Sequence, residues 1–524
     1  MRYAVPVNAA GEVKKLYEAG ADELYCGFFD IEWQKAYGRH DSISRRQGEA
    51  NYSSFAELEK TVAEASKLNI PVYLAVNSRY TRLQYDPVLE LIKKWQGIGG
   101  SGIIVRDLGL LERLNEIRTG SGFKITASLL FPVFNRFAVG LLKDYGISRI
   151  VLPRSLSVGE MKLICSEAKD MEFEAMIMGD KCRMIDGFCR SIHADSLRKT
   201  FSEIDYSGGC VHLCTQYARI PEDPCAACLI PEMENAGVSV GKIGGRGLPL
   251  EKRLEWLKFL KDAQCLSDEE KKKSYLNTFS HNCICYYDNA HDYIRSYDKN
   301  ETLDMMAPQS CKYSYLSENM IGHHSCIGAL NDIKKYLDNS DKNEQSDPVF
   351  VFPPITPAYC TEFQTLIELI CCRYTDHKAE IVLNDYGAAV YCGKLKTEGM
   401  LKAKLTLGLL LSGQDTDPFY EAIESADADT RKDKEKILKH LSEPSVFSQT
   451  KFMDKYGISG IELCRQPINI DRRHTAYEKY SIRVYDISVL SVKACCGNCK
   501  QCGEPTVIRN GRKIFSDRNI LLYR

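Results

Sequence analysis

The sequence predicts an α/β protein: a (β/α)8 TIM-like barrel, then a second, shortened barrel-like α/β copy with a Cys-rich C-terminal tail. Three observations predict it. Eight short apolar runs alternate with amphipathic stretches over roughly the first 250 residues. Three of these segments return in the same order further along. Cysteines cluster after the repeated strands in both copies.

The apolar runs are Tyr3–Val7, Glu23–Gly27, Val72–Asn77, Gly102–Arg106, Lys124–Ser128, Arg149–Pro153, Glu172–Met178 and Val238–Ile243. Parallel strands covered by helices on both faces read as such runs, and eight of them close a barrel. Between them, Phe55–Asn69 and Val88–Ile98 have the spacing of amphipathic helices, and Ser53 or Ser54 can cap the first. An open doubly wound sheet is the alternative, but no G-x-G-x-x-G follows the first strand.

The internal repetition is specific. YGISRIVLPR (145–154) returns as YGISGIELCR (456–465) with seven identities in ten positions. IIVRDLG (103–109) returns as IVLNDYG (381–387), and KITASLL (124–130) as KLTLGLL (404–410). Cys182 lies 28 residues after Arg154, and Cys495 lies 30 after Arg465. Residues from about 346 onward therefore read as a shortened copy of the middle of the barrel. The expected division is 1–265 barrel, 266–346 insertion and linker, 347–490 second repeat and 491–524 tail. Within the insertion, His323-His324 reads as a surface pair, and 421–439 as a solvated helix.

Composition narrows the class. At 524 residues the chain exceeds one ordinary domain. Lys+Arg (69) and Asp+Glu (70) cancel, so no overall field draws the chain to nucleic acid or membrane, although one basic groove would suffice for RNA. No run approaches the ~18 apolar residues of a membrane span. The N-terminus turns polar within about seven residues, which suits a first strand rather than a signal peptide. A cytoplasmic protein is expected. Its 22 cysteines then point to metal, because a large chain in a reducing compartment is not a disulfide scaffold.

The first cysteine cluster reads C-x6-C-x20-C-x3-C-x10-C-x2-C through Cys182, Cys189, Cys210, Cys214, Cys225 and Cys228. Thiolates from neighbouring loops can hold zinc or an iron–sulfur cluster, and this spacing is not that of a zinc ribbon. The second, CCGNCKQC, is close to the C-x2-C-x2-C of the bacterial ferredoxin run, with Cys495, Cys499 and Cys502 as candidate ligands and Cys496 as a local alternative to Cys495. Cys360 and Cys464 are candidates for a remote fourth ligand, and zinc remains the alternative at both clusters. Arg154, Lys242 and Arg246 fall at strand ends, where cations can hold an anionic ligand. Asn77, Asp107 and Asn135 are placed to orient one, and Asp107 also reads as a helix N-cap.

Jointly, the motifs resemble peptidase family U32, the collagenase-like proteins. They are AGADELYCGF (19–28), Asn51–Ser53, Val72–Asn77, IIVRDLG (103–109), Gly146–Arg154, Gly209–Cys214 and Pro231–Arg246. The resemblance covers nearly all of the first domain. It implies an O2-independent hydroxylation protein acting on a ubiquinone precursor, a tRNA wobble uridine or a ribosomal RNA cytidine. Prephenate is implied as oxygen donor, and a 4Fe–4S cluster on four cysteines, here Cys182, Cys189, Cys210 and Cys225, with Cys214 and Cys228 as alternates. Three motif positions depart from the family pattern. H-G-A-x-C is Met178-Gly179-Asp180-Lys181-Cys182, R-E is Arg154-Ser155, and K-I-E-G-R is Lys242-Ile243-Gly244-Gly245-Arg246. Acid–base residues that a peptidase could recruit are thus missing, whereas the cysteine frame survives. An oxygen-sensitive 4Fe–4S hydroxylase or redox enzyme is the expected function, with RNA or a small aromatic as substrate and a small anionic co-substrate. A second cluster in the tail is open. A collagenase-like hydrolase and a non-catalytic iron–sulfur maturation or scaffold protein, working with a partner protein, are the alternatives.

Overall fold

Eight parallel strands close on themselves: β1 (Arg2–Pro6), β2 (Glu23–Gly27), β3 (Val72–Val76), β4 (Gly102–Val105), β5 (Lys124–Ala127), β6 (Arg149–Val151), β7 (Glu172–Met178) and β8 (Val240–Ile243). Arg2 pairs with Val240 to seal the barrel. In this computed structural model, the described residues are 1–38, 41–46, 50–114, 122–179, 184–190, 225–279, 316–317, 319–339, 347–376, 378–414, 416, 436, 443–465, 475–492, 506–509, 513–517 and 520–523. All eight expected strands are present. β2 and β3 are buried along their whole length, as helices on the outside require. Ser54, not Ser53, sits at the N-cap of the helix Phe55–Lys67, without a side-chain bond.

The barrel interior is ionic where such barrels usually pack branched aliphatics. Arg149 on β6 reaches across to Glu23 on β2 (2.5 and 2.8 Å) and also holds Glu174 on β7 at 3.2 Å. Strands β2 and β6 stand on opposite sides of the closed ring, so this bond must span its centre. Burial alone would pull the Arg149 pKa down, but Glu23 and Glu174 outweigh it and hold the guanidinium charged.

A second sheet, all parallel, runs in the order β14-β13-β12-β11-β10-β9. Its strands are β9 (Met320–Gly322), β10 (Val349–Phe352), β11 (Glu380–Leu383), β12 (Lys404–Leu407), β13 (Ile458–Cys464) and β14 (Ser481–Tyr485). This is the shortened copy. It begins earlier than expected, because β9 and the helix Leu330–Asp338 lie inside the segment read as insertion and linker. His323 and His324, expected at the surface, are 2% and 0% exposed. They follow the edge strand inward, where His324 Nε2 meets Glu462 Oε2 at 2.7 Å. The tail adds a four-stranded antiparallel sheet of β15 (Ser488–Val492), β16 (Thr506–Arg509), β17 (Lys513–Asp517) and β18 (Ile520–Tyr523), in the order β15-β18-β17-β16. Apart from Lys436, the expected helix 421–439 lies outside the described residues.

The repeats are now physical. Asp107 after β4 and Asp385 after β11 each cap the following helix, accepting from Leu110 N (2.8 Å) and Ala388 N (3.0 Å). Tyr-Gly-Ile-Ser ends a helix in both copies, with Gly146 (φ 65°) and Gly457 (φ 61°) in the left-handed region that a C-terminal cap requires. The two copies meet through these same helices. Arg136–Asp144 packs on Tyr386–Thr397, and Leu108–Leu114 packs on Thr450–Lys455. Each helix thus meets its counterpart's sequence neighbour, as in an isologous dimer.

Candidate active site at the barrel mouth

The C-terminal ends of barrel strands carry the functional loops of this architecture, and here they gather cysteines and arginines. β7 ends at Met178, and Cys225 pairs with Met178 as an isolated bridge while Ala226 N donates to Ile177 O at 2.7 Å. Cys225 therefore sits at the end of β7, fully buried. Further along, Asp186–Phe188 makes a tight turn, and Cys189 N donates to Ile185 O at 3.1 Å, leaving Cys189 3% exposed.

Four arginines hold this turn. Arg154 pairs with the Asp186 carboxylate, its Nε at 2.9 Å. Arg106 Nη2 donates to Gly187 O at 2.7 Å, and Arg45 Nη2 reaches Cys189 O at 3.5 Å. Arg190 is buried and donates to Leu409 O (2.5 Å) and Ser412 Oγ (3.0 Å) of the second copy. Ile185 N donates to Val492 O at 2.8 Å, so the strand that leads toward the tail cysteines also ends beside this turn. A Cβ on Gly187 would meet Leu130 O at 2.9 Å, which explains glycine at the apex.

The remaining site candidates fall into place individually. Lys242 Nζ pairs with Glu174 Oε1 at 2.7 Å and lies 4.2 Å from the centre of the Tyr25 ring. Its charge is matched inside the barrel rather than presented at the mouth. Arg246 is at the rim, 3.3 Å from both Ser44 Oγ and Asn51 Oδ1. Asn77 Oδ1 accepts from Arg45 N (3.0 Å) and its amide donates to Ser128 Oγ (3.3 Å), so it joins two mouth loops. Asp107 also accepts from Tyr80 N (3.2 Å) and Tyr85 hydroxyl (2.9 Å); burial pushes its pKa up against these donors. It acts as a cap and loop anchor, the structural role the sequence also allowed. Asn135 caps its own helix and donates to Asp385 (2.8 Å) and Ile355 O (2.9 Å), which makes it a junction residue.

Cys182, Cys210, Cys214, Cys495, Cys496, Cys499 and Cys502 lie outside the described residues. Cys360 is buried at a helix start, its thiol donating to Thr356 O at 3.7 Å, and burial pushes it up to about 12. Cys464 lies 3.9 Å from Arg190 Nη1, on the same side chain that anchors the Cys189 turn. Sequence reasoning missed Arg45, Arg46, Arg79, Arg106 and Arg190. Arg106 had a usable signal, since it directly follows β4 as Arg154 closely follows β6; the others sit in irregular loops.

The donor chemistry of Cys189 and Cys225 suits a thiolate-bound cluster. Two buried thiols stand at the mouth, and guanidinium groups around the Cys189 turn would offset the negative charge of coordinated thiolates. Among the described residues, no three His, Cys, Asp or Glu side chains converge as a metal-binding group.

Over 186 residues the chain is 26% identical to tRNA hydroxylation protein P of Escherichia coli (strain K12), covering 35% of this chain and 38% of that protein. The protein of the same name from Haemophilus influenzae is also 26% identical over 186 residues, with 37% of its length covered. The chain thus matches well under half of the length of these relatives. Among solved structures, the U32 peptidase Mk0906 aligns with 12% identity and a TM-score of 0.31, over 47% of this chain and 93% of that one. N-acetylneuraminate lyase from Fusobacterium nucleatum aligns with 11% identity and the same TM-score, over 53% and 80%. Residues 9–283, about half of the chain, match the model of peptidase family U32, and with the motifs and barrel described above the chain belongs to that family.

Proposed function

We propose that the chain is an iron–sulfur-dependent, O2-independent hydroxylase whose substrate is a tRNA base. One observation carries this reading: the chain is similar to tRNA hydroxylation proteins and has a barrel mouth where Cys189 and Cys225 are buried and arginines bind the Cys189 turn. Cys182, Cys189, Cys210 and Cys225 would hold the cluster, which supplies electrons or a Lewis-acid iron when bound. The protein's own contribution is placement. Arg106 and Arg45 bind the backbone of the turn that bears Cys189, Arg154 holds that turn's Asp186 carboxylate, and Arg246 with Asn51 and Ser44 shapes the neighbouring rim. A small anionic co-substrate of the prephenate type would supply the oxygen atom, and the half-buried Arg45 and Arg46 offer charge to a phosphate backbone near the rim.

Mass spectrometry of tRNA nucleosides from a deletion strain tests the reading. Loss of a nucleoside carrying one extra oxygen, restored by the wild-type gene and not by Cys189→Ser, is expected. An unchanged nucleoside inventory would refute it and leave the hydrolase or scaffold roles.

A further inference from the structure

The loop that follows β2 makes an excursion over the barrel mouth and returns to its starting point. Tyr52 N donates to Gly27 O (2.9 Å) and Phe29 N to Tyr52 O (2.7 Å), so both ends are pinned at β2. We propose that residues 41–46 of this excursion form a strap that closes the mouth over the Cys189 turn and lifts before a substrate reaches the thiols. The gating role rests on the reading that the chemistry occurs at these thiols; the strap itself does not.

Residues 41–44 are buried although they belong to no helix or strand. What holds the segment comes from loops around the ring. Its foot is Asp41, whose carboxylate accepts from Trp33 Nε1 (3.3 Å) and Gln84 Nε2 (2.7 Å). In the middle, Ile43 O accepts from the Tyr80 hydroxyl (2.5 Å), and Ser44 Oγ donates to Asn51 Oδ1 (2.9 Å). At the front, Arg45 N donates to Asn77 Oδ1 after β3, and Arg45 Nη2 reaches Cys189 O in the loop after β7. Arg46 Nη1 donates to Arg246 O (3.2 Å) after β8. Strands β3 and β7 stand opposite each other in the closed ring, so the strap and the Cys189 turn meet over the mouth. Cys189 and Cys225 are both buried in this closed arrangement. The attachments are polar, and Ile43 is the one apolar side chain in 41–46. A segment with so few apolar contacts opens locally at a lower free energy than the core. Closure then excludes water from the site, and local opening admits a substrate without unfolding the barrel.

The strap carries its own reporter, because trypsin cuts after Arg45 and Arg46 only when the backbone there leaves the mouth. Cleavage of the full chain under anaerobic conditions, followed by mass spectrometry, should be slow at these two bonds. It should depend only weakly on urea, the mark of local rather than global opening. Tyr80→Phe removes the bond to Ile43 O, and Asn77→Ala removes the bond to Arg45 N. Each should speed this cleavage about fivefold, and the exposed Arg136→Gln should leave it unchanged. Access to the thiols is the second readout. The rate at which iodoacetamide alkylates Cys189, or at which bathophenanthroline withdraws iron where the preparation carries it, should rise by the same factor in Tyr80→Phe. Cleavage as fast as in the unfolded chain, a urea slope equal to that of global unfolding, or a rate indifferent to both variants overturns the strap. Faster cleavage with unchanged access to the thiols overturns the gate. Both readouts stand whether or not hydroxylation occurs, so their failure is distinct from failure of the proposed reaction, which the tRNA nucleosides decide.

Discussion

Gly27 shows how a motif residue earns its place. A Cβ there would come within 2.0 Å of Asn51 Oδ1 and 2.1 Å of Arg246 Nη1. The glycine leaves room for a rim that two other motifs supply. Gly27→Ala should therefore cost about 2 kcal/mol by forcing those side chains aside, read as a lowered melting temperature. Arg149 makes the opposite case. Arg149→Met removes the partner that Glu23 and Glu174 share and leaves them only Arg2 and Lys242, with a loss of about 3 kcal/mol in denaturant unfolding. Glu112 gives a pH signature. Burial raises its pKa from 4.5 to about 7, even though Phe452 N donates to it at 2.8 Å across the junction. The folded state thus holds this proton more tightly than the unfolded chain, so stability falls as pH rises from 4.5 through about 7. The loss is at most about 3 kcal/mol. Glu112→Gln keeps an acceptor for Phe452 and should flatten that slope in unfolding curves taken across the window.

At the scale of elements, the strands were legible because burial on both faces writes them as apolar runs. Glu172–Met178 and Glu23–Gly27 coincide with the observed β7 and β2, and the others end within two residues. The interior was less legible. Glu23, Arg149 and Glu174 read as ordinary charges on strands, since a one-dimensional pattern cannot say that charges on opposite strands meet in a barrel centre. β9 was missed for another reason: three residues, Met320–Gly322, between polar flanks carry almost no period. The mouth arginines of loops were hidden because loops have no period at all. The repeated caps, in contrast, were visible as IIVRDLG and IVLNDYG before their role was known. Their partner at the junction is Asn135, whose amide bridges to Asp385 and Ile355 O. Asn135→Asp would set two buried carboxylates face to face and remove both donations. It should destabilise the chain by about 2 kcal/mol or more near neutral pH, and less in acid, where a shared proton relieves the repulsion.

At the scale of the whole molecule, the second copy is a half-barrel that buttresses the first through exchanged helix contacts, and it reaches the cysteine-bearing turn directly. Arg190 is the link, binding Leu409 O and Ser412 Oγ from its place beside Cys189. Arg190→Met should leave the barrel folded while loosening that turn, with faster loss in air of the iron proposed for this site as the observable. The central claim is that thiolates at the barrel mouth share one inorganic centre. Iron, sulfide and zinc analysis of anaerobically purified wild type beside a Cys189→Ser/Cys225→Ser double variant tests it most directly. The account predicts iron and sulfide in near-equal amounts in the wild type, and a clear loss of both from a variant that still melts cooperatively. Zinc in place of iron, or a folded double variant that keeps its full iron and sulfide, would contradict it.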